Sequence, residues 1–242
     1  ICVRFSVNEM IGKFVAGNDF NYVQAHATSI AASGKYNISS CSSEVIASGR
    51  VQMKNYQAVD LINGLERHDG YTHAFFKSFT PALQNSIRQY ASQGGRILIS
   101  GSYTGSDMQT EEEQAFLSDI LKLSYEPTGS TAITRDINPE DSTVTERDSI
   151  VYTSPNVKGL GLQFSYYNEL NAQHYAATHP EILKPVGNYA FTAMQYDTGT
   201  SAAVAYKSTT YRSFVMGFPL ECIIDERTRT SVLLGILKFL TD

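Results

Sequence analysis

Thr80-Pro81-Ala82-Leu83-Gln84-Asn85-Ser86-Ile87-Arg88-Gln89-Tyr90-Ala91-Ser92-Gln93-Gly94-Gly95-Arg96-Ile97-Leu98-Ile99-Ser100 is the stretch that decides the fold. Thr80 can cap a helix, and Pro81 stands at the first helical position, where its missing N–H costs nothing. Leu83, Ile87 and Tyr90-Ala91 recur at helical spacing, and Gly94-Gly95 ends the run. Arg96 to Ser100 then reads as a short buried strand. A helix, a glycine stop and a buried strand in that order are half of a parallel crossover unit.

Similar signals lie on either side. Ile1 to Val7 is apolar enough for a buried strand, and Tyr36–Cys41 and Tyr56–Leu65 are two more candidates. Between them, Asp19 or Asn21 can cap a helix with Val23, Ala27, Ile30 and Ala31 on its apolar face and Gly34 after it. Thr110-Glu111-Glu112-Glu113 spells a capping box, opening a helix with Phe116, Leu117, Ile120 and Leu121. From Glu126 to Asp148 the chain turns polar and suggests irregular hairpins. Gly159–Tyr167, Ala190–Tyr196, Ser201–Tyr206 and Arg212–Gly217 read as strands. A helix from Glu226 closes the chain on Val232, Leu233, Ile236, Leu237 and Leu240. Together these predict a single α/β domain over 1–242, more irregular and β-rich at about 125–210. The architecture is a three-layer sandwich with a mainly parallel sheet and a mixed β extension.

Composition narrows the function. At 42% hydrophobic and 18% charged residues, the chain can bury a core, which excludes a disordered polymer. No apolar run approaches the ~20 residues of a membrane span. The net charge of -5 argues against a nucleic-acid binder, which carries a basic face. Cys2, Cys41 and Cys222 have neither zinc spacing nor a disulfide framework. No cofactor motif is present.

In parallel α/β folds, ligands sit beyond the C-terminal ends of the strands. That places the candidate site at Asn63-Gly64-Leu65-Glu66, Gly101 to Asp107 and Phe218 to Asp225. Glu66, Asp107, Glu221 and Asp225 are candidate ligand-binding carboxylates that would form an acidic rim suited to cations or sugar hydroxyls. Asp225 also suits a helix cap. Glu66, His68, Asp69 and His73 match no established metal spacing and read as a solvated loop, so no metal site is expected. Ser102 and Tyr103 occupy a glycine-bracketed turn, Gly101-Ser102-Tyr103-Thr104-Gly105. A hydrolase using Ser102 would want Gly-x-Ser-x-Gly, and here the glycines bracket Tyr103. A small residue in a tight turn is the plainer reading of Ser102.

These turns resemble those of the class I glutamine amidotransferase-like fold. More narrowly, Ala16-Gly17-Asn18-Asp19-Phe20-Asn21-Tyr22, Val59 to Glu66, Ile99 to Met108 and Gly217-Phe218-Pro219-Leu220-Glu221 resemble secreted xanthan-lyase-type proteins of anaerobic gut bacteria. In such relatives a long segment separates the first strand from the Ala-Gly-Asn-Asp-Phe motif, whereas only a few residues do so here. The resemblance implies a secreted, periplasmic or cell-surface location, flanking domains in the same polypeptide, and carbohydrate as a candidate partner. It also implies a nucleophile at the turn, with a histidine and a glutamate in a Phe-His-Pro-Glu stretch. At the matching positions stand Tyr103 or Ser102, Pro219 and Glu221. Proline moves no protons, so no glutaminase activity is expected. His179-Pro180-Glu181 spells the same triplet but follows a polar run, and reads as a turn away from the site. Polysaccharide lyases use a base and a charge neutraliser, usually on toroid or β-helix scaffolds, which this chain does not resemble. The expectation is a non-catalytic accessory or binding domain in glycan handling. The alternatives are a Ser102 hydrolase, lyase activity residing in other domains, or a spacer.

Overall fold

The computed structural model describes residues 2–3, 22–68, 77–137, 140, 143–169 and 175–242. Its centre is a nine-stranded sheet. The first part consists of β1 (Cys2–Val3), β2 (Cys41–Ser42), β3 (Val59–Gly64), β4 (Arg96–Gly101) and a late strand, Arg212–Met216. These five run parallel in the order β2, β1, β3, β4 and the late strand. The parallel neighbours β1, β3 and β4 agree with the mainly parallel sheet and the crossover unit expected from the sequence. Four antiparallel strands extend the sheet past the late strand, in the order Ser201–Lys207, Ala190–Tyr196, Asn156–Gly159 and Leu162–Ser165.

The parallel part alternates side chains between two buried faces, as a sheet covered on both sides must. Ile97 and Ile99 point into one core and Leu98 into the other. One face is covered by α1 (Tyr22–Ala31) and the closing helix, Glu226–Thr241. The other is covered by α2 (Ser43–Ala47), α3 (Pro81–Ser92) and α4 (Glu111–Phe116). The molecule is therefore the three-layer α/β sandwich with a mixed extension.

Helix starts follow local chemistry. The Thr80 side chain accepts from the Leu83 amide with Pro81 behind it, and Thr110 and Glu113 form a complete capping box. Three expectations shift. Tyr36–Cys41 is not a strand: the ladder begins only at Cys41, because β2 is a two-residue sheet edge. The polar stretch after Glu126 holds a regular antiparallel hairpin, Thr131–Ile137 with Val144–Ile150. On α1 the buried residues are Tyr22, His26, Ser29 and Ile30, so the helix turns a histidine inward. The proposed caps Asp19 and Asn21 lie outside the described residues.

Two short strands complete the scaffold, Leu123–Glu126 and Ile182–Pro185. They pair antiparallel, with Ile182 opposite Glu126. This ladder delivers residues 179–181 to the C-terminal edge of the sheet. No helix among the described residues is long and apolar enough to cross a membrane.

Candidate functional site

Parallel pairing brings the ends of β3, β4 and Arg212–Met216 to one edge. Gly64 stands opposite Gly101, and Ser100 opposite Met216. Residues 101–107 form a sharp elbow there. The Ser102 amide donates to the Gly64 carbonyl at 2.8 Å, and the Asp107 amide closes back on the Tyr103 carbonyl at 3.3 Å. The glycines are required by contact. A Cβ on Gly101 would lie 2.7 Å from Asn63 Cβ, and one on Gly105 would lie 2.5 Å from Tyr125 Cβ. The unusual dihedral falls on Tyr103, whose φ of 61° is left-handed. A non-glycine residue held there stores local strain.

Tyr103 is therefore the apex of the turn, and Ser102 lies beneath it. Ser102 is fully buried, and its hydroxyl has no hydrogen-bond partner among the described residues. A serine nucleophile needs a base within hydrogen-bond reach, and none of the described side chains provides one. The Tyr103 phenol is no better activated. Burial pushes it up to about 12, Arg67 opposes that shift, and Glu181 adds to it.

His179-Pro180-Glu181 corrects the expectation made for it, because the segment folds back onto the elbow. The His179 ring lies 5.1 Å from the Tyr103 ring, centre to centre, and the Arg67 guanidinium sits 4.8 Å from the same ring. Burial and Arg67 both lower His179 below its ordinary value. Glu181 reaches further in. One carboxylate oxygen accepts from the Gly105 amide at 2.7 Å, and the other accepts from the Ser106 amide at 2.9 Å and from the Ser106 hydroxyl. Burial pushes the Glu181 carboxyl upward, those hydrogen bonds oppose the shift, and Asp107 adds to it. Its main chain is held as well. The Glu181 amide donates to the Gly217 carbonyl at 2.7 Å, and the Tyr196 hydroxyl donates to the Glu181 carbonyl at 2.8 Å. Backbone amides after an elbow are the groups that would stabilise an oxyanion. Here two of them already hold an internal carboxylate.

The four expected rim carboxylates are placed differently from one another. Glu66 is fully buried. Asp107 is 6% exposed and clamps the loop after β3, accepting from the His68 amide at 3.0 Å and the Ser78 amide at 2.8 Å. Glu221 is fully buried. Asp225 is exposed and caps the closing helix, accepting from the Thr228 amide at 2.7 Å. The elements share an edge as expected, but three of the four carboxylates face inward, so no acidic rim forms from them. Asp107 is turned inward by two loop amides, and Glu221 by an imidazole and a phenol. Pro219 leads into a short 3-10 turn at Leu220–Cys222. Asp69 and His73 lie outside the described residues, and no group of three potential ligands among the described residues could hold a metal ion.

Sequence reasoning missed the partners of Glu221. His26 Nδ1 lies 2.6 Å from Asp60 Oδ2, and His26 Nε2 lies 3.2 Å from Glu221 Oε2. The Tyr175 hydroxyl donates to the other Glu221 oxygen. Burial disfavours the His26 cation, but Asp60 and Glu221 outweigh it and push the ring up to about 10. Burial likewise works against the Glu221 carboxylate, yet His26 and Tyr175 hold it below its ordinary value. The result is a buried imidazolium between two carboxylates, linking α1, β3 and the turn after the last parallel strand. Two signals were available in the sequence. His26 sits four residues from Tyr22 and from Ile30, and Asp60 interrupts an otherwise apolar run in β3.

No family model matches the chain, and no curated protein does. Solved structures do. The N-terminal domain of mmIFT52 matches at 12% identity over 100% of this chain and 98% of its own, with a TM-score of 0.52. A ThuA-like protein from Parabacteroides merdae matches at 12% identity over 93% and 87%, with a TM-score of 0.50. A GMP synthase subunit from Thermoplasma acidophilum matches at 10% identity over 93% and 90%, with a TM-score of 0.48. The chain also spans 32% of the length of an exo-β-1,4-mannosidase from an Opitutaceae bacterium, at 10% identity and a TM-score of 0.49. At these identities the likeness is one of fold, a three-layer α/β sandwich.

Proposed function

We propose that this chain is a non-catalytic α/β domain that serves as an accessory or binding module of a secreted glycan-handling protein. The observation that carries its inert character is the Glu181 carboxylate on the Gly105 and Ser106 amides. An elbow stabilises a transition state only with donors that are free when charge develops. Here a covalently attached carboxylate competes for them at very high effective concentration. The neighbouring chemistry agrees. Ser102 is buried without a base, Tyr103 is held in its protonated form, and Pro219 stands where the resemblance places a histidine. The secreted location, the flanking domains and the carbohydrate partner rest on the sequence resemblance.

Incubation with glutamine and with a p-nitrophenyl ester tests the inert reading. The expected result is no ammonia release and no ester turnover beyond that of Ser102→Ala. Turnover by the wild-type chain that Ser102→Ala abolishes would replace the reading with that of a hydrolase.

A further inference from the structure

Cys2 and Cys41 stand far apart in the sequence, and their spacing gives no sign of pairing. The sheet brings them together. β1 and β2 run parallel, with Cys2 directly opposite Cys41. Neighbouring strands lie about 4.8 Å apart, inside the roughly 4.4–6.8 Å that a disulfide spans between α-carbons. Residues directly opposite each other on neighbouring strands stand on the same face of the sheet, and a slip of one residue would put them on opposite faces.

The surrounding register fixes which face that is. Cys2 is also opposite Leu61 of β3. Leu61 lies in the core that α2 and α3 cover, and Cys41 packs against the same core. Val3, the next residue, is opposite Ile62, which lies in the other core. Cys2 therefore occupies the face that Cys41 occupies. Cys41 is half-buried and lines a cavity of about 70 Å³ with Val51, Met53 and Val59, which gives a small reagent a route to its thiol. Cys222 is a different case. It is fully buried, its Sγ donates to the Tyr175 carbonyl at 3.7 Å, and it follows a strand that β3 and β4 separate from β1.

We infer that Cys2 and Cys41 form an oxidisable pair that closes to a disulfide and ties β1 to β2. In exchange with glutathione disulfide, one cysteine thiolate attacks a glutathione sulfur and expels the first glutathione as its thiolate. The second cysteine thiolate then attacks the cysteine sulfur of that mixed disulfide and expels the other glutathione. Two cysteine thiols are oxidised, one glutathione disulfide is reduced to two glutathione thiols, and the two cysteine protons end on them. The bond secures a part of the sheet held by few ladder hydrogen bonds, because β1 and β2 have two residues each and β2 is the outer edge. It also closes residues 2–41 into a covalent loop that carries α1 and His26, and such a loop restricts the unfolded chain. The inference goes beyond the proposed function and stands on the register. An oxidising compartment outside the cell keeps such a pair closed.

Thiol counting tests this. The reduced chain, folded and freed of reductant, is incubated with glutathione disulfide, then denatured with N-ethylmaleimide and weighed by mass spectrometry. Free thiols should fall from three to one, and a tryptic map should join the peptide ending at Arg4 to residues 36–50. Cys2→Ser should form no internal disulfide. The bridged chain should unfold at a higher urea concentration than the reduced chain, and Cys2→Ser should lose that difference between the two treatments. Three persisting thiols, glutathione left on either cysteine as the end product, or a bridge to Cys222 would overturn the pairing. Equal urea midpoints for the bridged and reduced chains would overturn its role at the sheet edge.

Discussion

The elbow at residues 101–107 and the buried His26 cluster both involve groups used in catalysis, and they differ in what those groups face. At the elbow the backbone has the sharp turn of a catalytic nucleophile, with Tyr103 left-handed at its apex. Its amides are occupied by Glu181. In the cluster, Asp60, His26 and Glu221 line up as a relay would, with the buried Tyr175 phenol at the Glu221 end and no solvent at its centre. The comparison teaches that catalytic-looking geometry is defined by its unsatisfied groups. One region has the turn without free donors, and the other has the relay without solvent at its centre. Both then work as structural staples.

Each staple can be broken. The largest effect is expected from His26→Ala, which leaves two buried carboxylates without their shared cation. Removing one partner of a buried ion pair costs about 3–5 kcal/mol. Urea unfolding measures it, and a loss below about 1 kcal/mol, the range of exposed pairs, would mean that the cluster is not a staple. The same cluster sets a pH dependence. His26 is raised in the fold from 6.5 to about 10, so its contribution is complete below pH 6.5 and is lost as pH climbs through about 10. Glu221 is lowered from 4.5, so its contribution is present above that value and is lost as pH falls through the depressed one. Stability from these two groups should therefore be flat between about pH 4.5 and 6.5 and decline from there until about pH 10. His26→Ala should remove the alkaline decline, and an unchanged decline in that variant would assign it elsewhere.

Glu181→Ala should have an intermediate effect. It strips the Gly105 and Ser106 amides of their acceptor in a largely buried turn, at about 1–3 kcal/mol. Hydrogen exchange at those two amides should accelerate more than at β4. Equal protection in variant and wild type would mean that the carboxylate does not hold the elbow. Ser102→Ala should have the smallest effect. A fully buried hydroxyl without a partner gives up no hydrogen bond when removed, so the change in stability should lie within about 0.5 kcal/mol of zero or be stabilising. A loss of about 2 kcal/mol or more would show that Ser102 makes a bond in solution and reopen the elbow as a working site.

Much of this molecule was legible in the linear chain. Thr80-Pro81, Gly94-Gly95 and the run Arg96–Ser100 specified a helix, its end and a buried strand, because caps, stops and periodicity act within a few residues. The glycines around Ser102 announced the elbow, and the parallel order of strands followed from the helical crossover. The site did not follow in the same way. Whether Glu181 lies in a solvated turn or on the Gly105 amide depends on Ile182 pairing with Glu126, 56 residues earlier, and nothing local to His179-Pro180-Glu181 encodes that contact. Whether Glu221 faces a ligand or an imidazolium depends on His26, 195 residues away. Short-range chemistry determined which elements form and where they end. Which charges meet was decided only by the tertiary structure, because a carboxylate's partner is set by position in space and sequence separation carries no record of it.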